Sequence, residues 1–151
     1  MSRDAIEDLV HRYADAVVHR DGVQWESTWA PDAVWELGQD RRMEGREAIV
    51  EFWHTAMGGF DAVIQTVLNG TAELDESAGT GTGRWYVSEQ FQRTNGDAGI
   101  LSAHYDDEYK VVAGEWLFTN RGLVVHYMGP PDLSGTFFNT GFNTGPVTGQ
   151  D

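Results

Sequence analysis

At 151 residues with 40% hydrophobic content, the chain has the size and the apolar material of a single domain with one core. A formal net charge of −14, from 24 acidic residues against 10 Lys and Arg, repels phosphate backbones and anionic lipid, which argues against nucleic-acid and membrane-surface partners. Cysteine is absent, so there is no disulfide framework, thiolate metal site or thiol nucleophile, and no apolar run approaches the ~20 residues of a membrane span.

The first predicted element is a helix opened by an Asp4/Glu7 capping box, with Ile6, Leu9, Val10, Tyr13, Ala14 and Val17 on one apolar stripe. It is expected to stop near Asp21-Gly22. A short helical segment carrying Trp25, Thr28 and Trp29 should follow, ended by Ala30-Pro31-Asp32. Ala33 to Leu37 alternates like a strand, and Arg46 to Met57 returns to helical period with Ile49, Phe52, Trp53 and Met57 on one face. Gly58-Gly59 closes that helix. The rest reads as β: long runs over 62–74, 82–92, 99–112 and 115–128, joined by short turn-rich connectors that favour antiparallel hairpins. Strands this long must twist, and the twist gives the sheet a concave face. Helices gathered on that face make an α+β architecture around a pocket for a small organic molecule. Gly129-Pro130-Pro131 then breaks the last strand. The tail over 129–151, with Phe137, Phe138 and Phe142, is expected to pack over the pocket or at a subunit interface.

The N-terminus lacks the basic and apolar regions of a signal peptide, which makes a cytoplasmic location the expectation. No His-x-His, His-Glu-x-x-His, phosphate-cradling loop, dinucleotide fingerprint or Gly-x-Ser-x-Gly elbow occurs, so the sequence predicts no metal and no cofactor.

An ordered set of short motifs runs from residue 4 to 128. It comprises Leu9-x3-Tyr13-Ala14-x-Ala16, Trp29-Ala30-Pro31-Asp32-Ala33-Val34-Trp35, Gly45-Arg46-Glu47-Ala48-Ile49, Gly83-Arg84-Trp85-Tyr86-Val87-x-Glu89, Tyr105-x-Asp107-x-Tyr109 and Trp116-x-Phe118-x2-Arg121. The set resembles the SnoaL-like branch of the nuclear-transport-factor-two-like superfamily. The resemblance implies a SnoaL-like domain over 1–128, folded as a cone-shaped α+β barrel with a strongly curved antiparallel sheet closed by N-terminal helices. It also implies a homodimer or homotrimer. Dehydratase and dehydrochlorinase members use an Asp–His dyad, and alignment by eye puts Val18 at the Asp position and Thr66 at the His position. Neither residue can do that work, since Val cannot orient an imidazole and Thr is no base at neutral pH.

Other residues supply replacements. Tyr13 and Arg121 match pocket positions of the family and are expected to stabilise charge developing on oxygen. Strand parity groups Ser102, His104 and Asp106 on one face, and Trp85, Val87 and Glu89 on one face of the neighbouring strand. If both faces are concave, His104 serves as base with Glu89 orienting it. Trp35, Trp53, Trp85, Val87 and Ser102, with Val18 and Thr66, are expected to line the substrate pocket. His11, His19, His54 and His126 read as surface or helix-face residues. The expected function is a cofactorless enzyme of lyase, dehydratase or isomerase type that transfers a proton on an oxygenated aromatic, polyketide or terpenoid metabolite. The alternatives are a limonene-type epoxide hydrolase, using Arg121 with Asp106 or Glu89, and a non-catalytic ligand-binding or assembly domain.

Overall fold

A computed structural model describes residues 2–38 and 40–138. Among the described residues three helices and seven strands follow one another as α1 (Ser2–His19), α2 (Gly22–Glu26), β1 (Trp29–Glu36), β2 (Arg42–Glu44), α3 (Arg46–Met57), β3 (Phe60–Asp75), β4 (Thr80–Arg93), β5 (Ala98–Val112), β6 (Glu115–Gly129) and β7 (Thr136–Phe137). Short turns force β3, β4, β5 and β6 into an antiparallel meander. The sheet order is β2-β1-β6-β5-β4-β3, with β7 added against β6. It is a strongly curved sheet that hydrogen bonds do not close, with the helices covering its inner face.

Two details depart from the sequence reading. Trp29 starts a strand rather than ending the short helix, because a shift in register between Trp29 and Val34 lets Ala30-Pro31-Asp32 pass as an irregularity within β1. β1 also runs parallel to β6, so the sheet is antiparallel everywhere except at this pairing.

The core lies between α1 and the inner face. Ile6, Leu9, Val10, Tyr13, Ala14 and Val17 of α1 are buried, as their helical spacing predicts, and Ala16 is buried with them. Trp25, Trp29, Trp35 and Trp53 fill the end where α2 and α3 meet β1, and Trp25 stacks on Trp53 with centroids 4.5 Å apart. The Arg20 guanidinium ties the end of α1 to the carbonyls of Met57 and Phe60. Gly70 exists for close approach: a Cβ there would lie 2.2 Å from the Trp85 ring.

The start of the tail turns back along the sheet. Phe137 packs at a tilt against Tyr127 with centroids 4.6 Å apart and remains 48% exposed. Phe142, the other half of the expectation for the tail, lies outside the described residues.

Candidate functional site

The pairing of β4 with β5 decides which residues meet. Trp85 faces Tyr105, Val87 faces Ala103 and Glu89 faces Leu101, while Tyr86 faces His104 and Ser88 faces Ser102. Odd-numbered residues of both strands therefore share the inner face, and even-numbered ones share the outer face.

On the inner face, Arg121 of β6 is 1% exposed and makes a two-pronged contact with Asp107 of β5, Nε to Oδ1 at 2.7 Å and Nη2 to Oδ2 at 3.1 Å. Its guanidinium lies between aromatic rings, 3.9 Å from the Tyr105 centroid, 4.1 Å from Phe118 and 4.4 Å from Tyr13. Tyr109 donates to Asp107 at 3.0 Å, and Trp85 Nε1–H donates to the Tyr109 hydroxyl at 2.9 Å. Gly83 makes room for this chain, since a Cβ there would lie 2.4 Å from the Tyr109 oxygen. Burial opposes the charge on both ions. The Asp107 carboxyl is raised by that burial against the pull of Arg121, and the Arg121 cation is raised on balance by Asp107.

Beside this pair stands a looser group. The Tyr13 and Tyr105 hydroxyls are 3.5 Å apart. Burial raises Tyr13 well above the ordinary phenol range and pushes Tyr105 up to about 12, so both are neutral donors at physiological pH. The positive charge of Arg121 lowers both phenols and the negative charge of Glu89 raises both, which puts each ion within electrostatic reach of the two hydroxyls. Glu89 itself accepts a hydrogen bond of 2.7 Å from Gln65 Nε2 on β3. Burial lifts the Glu89 carboxyl above the ordinary value, more than the Gln65 bond lowers it. The inner face thus offers a carboxyl able to exchange a proton, two neutral hydroxyls and a fixed cation behind them.

His104 is elsewhere. It lies on the outer face, 3% exposed, with Nδ1 2.7 Å from His126 Nε2 and Nε2 3.3 Å from Asp106 Oδ2. Asp106 is held in turn by Arg84 at 2.7 Å, and Tyr86 packs against both imidazoles. The expected approach of His104 to Glu89 does not occur, because the β4–β5 register puts the two side chains on opposite faces of the sheet. His126 is not a plain surface residue either. A bulge in the β5–β6 pairing between Ser102 and Ala103 turns its ring beside His104. Burial, then the charges of His104 and Arg84, lower the His126 pKa.

The remaining expected residues divide the same way. Tyr13, Arg121, Glu89, Trp85 and Val87 all face inward. Trp35 and Trp53 are packed within the tryptophan cluster at the α2–α3 end. Val18 is half-buried at the end of α1. Ser102 is half-buried on the outer face with His104. Thr66 is exposed, and the inward residue of that strand is its neighbour Gln65, 6% exposed. Thr66, expected to line the pocket, thus lies one position off the inner face. The Asp–Arg–Asp set of an epoxide hydrolase is not assembled from Asp106, which faces out; Arg121 takes Asp107 instead. Gln65, Tyr105, Asp107 and Tyr109 were not among the expected site residues. The alternation Tyr105-x-Asp107-x-Tyr109 held the signal for three of them, and the Val63-x-Gln65-x-Val67 alternation held it for Gln65.

Among the described residues no group of three or more His, Asp or Glu is placed to hold a metal ion. Open hollows lie at the β3–β4 hairpin end. One of about 580 Å³ is lined by Glu73, Asp75, Thr80, Thr82, Glu108 and Thr119, among others. No described helix is long and apolar enough to cross a membrane.

Comparison with known proteins bears on this geometry. The SnoaL-like domain family profile matches residues 1–122. Among solved structures, LinA is 27% identical over 91% of this chain and 93% of its own, with a TM-score of 0.79. The hexachlorocyclohexane dehydrochlorinase LinA-type3 of Novosphingobium barchaimii is 24% identical over 91% and 94%, with a TM-score of 0.78. A scytalone-dehydratase-like protein of Novosphingobium aromaticivorans is 18% identical over 89% and 90%, with a TM-score of 0.79. At 24% and 18% the likeness is one of fold.

Proposed function

The chain belongs to the SnoaL-like domain family, and on that footing we propose that it is a cofactor-independent, lyase-type enzyme that abstracts a proton α to a carbonyl in a small cyclic molecule. The observation that carries this reading is the Glu89 carboxyl on the inner face, raised by burial and held by Gln65 within electrostatic reach of Tyr13 and Tyr105. A carboxylate taken out of water is a stronger base than one in solution. The Tyr13 and Tyr105 hydroxyls are the donors for the enolate oxygen that forms, and Arg121 supports them from behind its ring stack. Arg121 acts through the tyrosines, since both of its hydrogen bonds go to Asp107. The names of the dehydrochlorinase and scytalone-dehydratase neighbours support elimination as the reaction type.

The test is exchange of α-protons for deuterium in cyclohexanone and tetralone, followed by mass spectrometry. Wild-type protein is expected to accelerate exchange and Glu89→Gln to abolish the acceleration without loss of thermal stability. Absence of exchange in the wild type, with ligand still bound, would favour the non-catalytic binding domain. Self-association as a dimer or trimer, and a cytoplasmic location, belong to the same reading. Ile64 and Leu68, 48% and 57% exposed on β3, support self-association, and light scattering tests it.

A further inference from the structure

Gln65 lies in the middle of β3 with its side chain turned inward and 6% exposed. Its Nε2–H is committed to Glu89 Oε1 at 2.7 Å. Its carbonyl oxygen Oε1 is buried and has no hydrogen-bond partner. An ionised Glu89 fixes this orientation, because the reverse amide would set two acceptors against each other. A buried acceptor left unmet is costly, and the cost is removed when a ligand brings a donor to it.

We infer that Gln65 Oε1 accepts a hydrogen bond from a substrate hydroxyl and that the reaction is loss of water from a β-hydroxy ketone, not loss of halide. The inference rests on the proposed role of Glu89 and adds the leaving group to it. A hydroxyl has the proton that Oε1 lacks, and a chlorine has none. A hydroxyl also leaves poorly unless it is protonated, whereas chloride leaves as the anion. The Glu89 carboxyl, bonded to the same amide, supplies that proton. In the first half of the reaction the Glu89 carboxylate takes the α-proton, and the C–H electron pair moves onto the carbonyl oxygen as the enolate. In the second half the carbonyl reforms, the electron pair makes the α–β double bond and the β-carbon–oxygen bond breaks. The hydroxyl departs with the proton returned by Glu89. The products are an enone and water, and Glu89 ends as it began. One carboxyl serving both halves fits an inner face on which Glu89 has an amide partner, Gln65, and His104 lies on the other side of the sheet.

The experiment compares three ketones that give the same enone: 3-hydroxycyclohexanone, 3-methoxycyclohexanone and 3-chlorocyclohexanone, followed at the enone absorbance and corrected for the uncatalysed rate. Methoxide leaves about as poorly as hydroxide but has no proton for Gln65, so this pair removes the hydrogen bond, and the ratio in Gln65→Leu separates that loss from the bulk of the added methyl. The hydroxy ketone is expected to be turned over with kcat/KM about tenfold or more above the methoxy ketone; Gln65→Leu also removes the Nε2–H bond to Glu89 and slows both ketones, and is expected to bring their ratio close to one. Gln65→Met serves if the leucine variant does not fold. Acceleration of the chloro ketone as great as that of the hydroxy ketone, or equal rates for hydroxy and methoxy, would overturn the inference while α-proton exchange still supports Glu89 as base. Loss of that exchange would overturn the proposed function itself.

Discussion

The two faces of the curved sheet carry the same kinds of group in opposite states. On the outer face, Asp106, His104 and His126 form a chain in which both ring nitrogens of His104 have a partner. On the inner face, Glu89 has one amide partner, Gln65 keeps a buried oxygen free and the tyrosine hydroxyls meet only at 3.5 Å. A saturated group is one whose hydrogen bonds are accounted for by the fold; a buried acceptor without a partner calls for an explanation, and the proposed substrate hydroxyl supplies one for Gln65. A histidine beside a carboxylate is the more familiar sign of chemistry, yet here the carboxyl without a histidine is the better placed of the two.

The sharpest way to break this contrast is to neutralise one face at a time. Glu89→Gln is expected to cut α-proton exchange by about 10²- to 10⁴-fold, whereas His104→Gln leaves it within about twofold; the reverse order would return the catalytic role to the outer face. Next in size is the ion pair behind the site. Asp107→Asn strands the Arg121 cation in a dry environment and is expected to cost about 3–5 kcal/mol, a fall in Tm on the order of 10 °C by calorimetry. Smaller still, Tyr13→Phe removes one oxygen donor and should slow exchange about tenfold with little change in Tm.

The smallest effects separate the faces by sign. Burial raises Glu89 above its ordinary value of 4.5, so the folded state holds a proton that the unfolded state has released. Its contribution to stability is present below that ordinary value and is lost as pH rises through the raised folded pKa. His126 is lowered from 6.5, so the unfolded state holds the extra proton, and its contribution is present above that value and lost as pH falls through the lowered pKa. Urea midpoints across pH 4 to 8, on about the scale of these shifts, should therefore show Glu89→Gln removing a slope that falls with pH. His126→Gln should remove one that rises. Equal slopes in both variants would show that the two faces do not differ in this way.

Much of the fold was legible. Helical spacing located the buried stripe of α1, and alternation located the long strands to within about two residues. Alternation also sorted His104 with Ser102 and Glu89 with Trp85 correctly. What it lacked was the register between strands, which the turn after Arg93 sets, and a slip of one residue exchanges the faces. Thr66, placed by the family resemblance and not by register, faces out, and its neighbour Gln65 faces in. The β6 bulge that carries His126 to His104 has no mark in local composition. Nor do the parallel pairing of β1 with β6 or the short β2, because both depend on segments remote in sequence.

That parallel pairing bears on how the molecule assembles. β3 to β6 are joined by tight turns, so their hairpins close short loops at small entropic cost. The Trp29–Phe118 and Trp35–Arg121 pairs instead bridge most of the chain, and contacts so distant in sequence form slowly. Until they form, the tryptophan cluster lacks the β1 strand that carries Trp29 and Trp35, and the Phe118–Arg121 stretch of β6 lacks its edge partner. Assembly of the inner face is then expected to be the late event of folding, and a lesion in β1 is expected to appear first as slow burial of the tryptophan cluster in a chain whose hairpins are already in place.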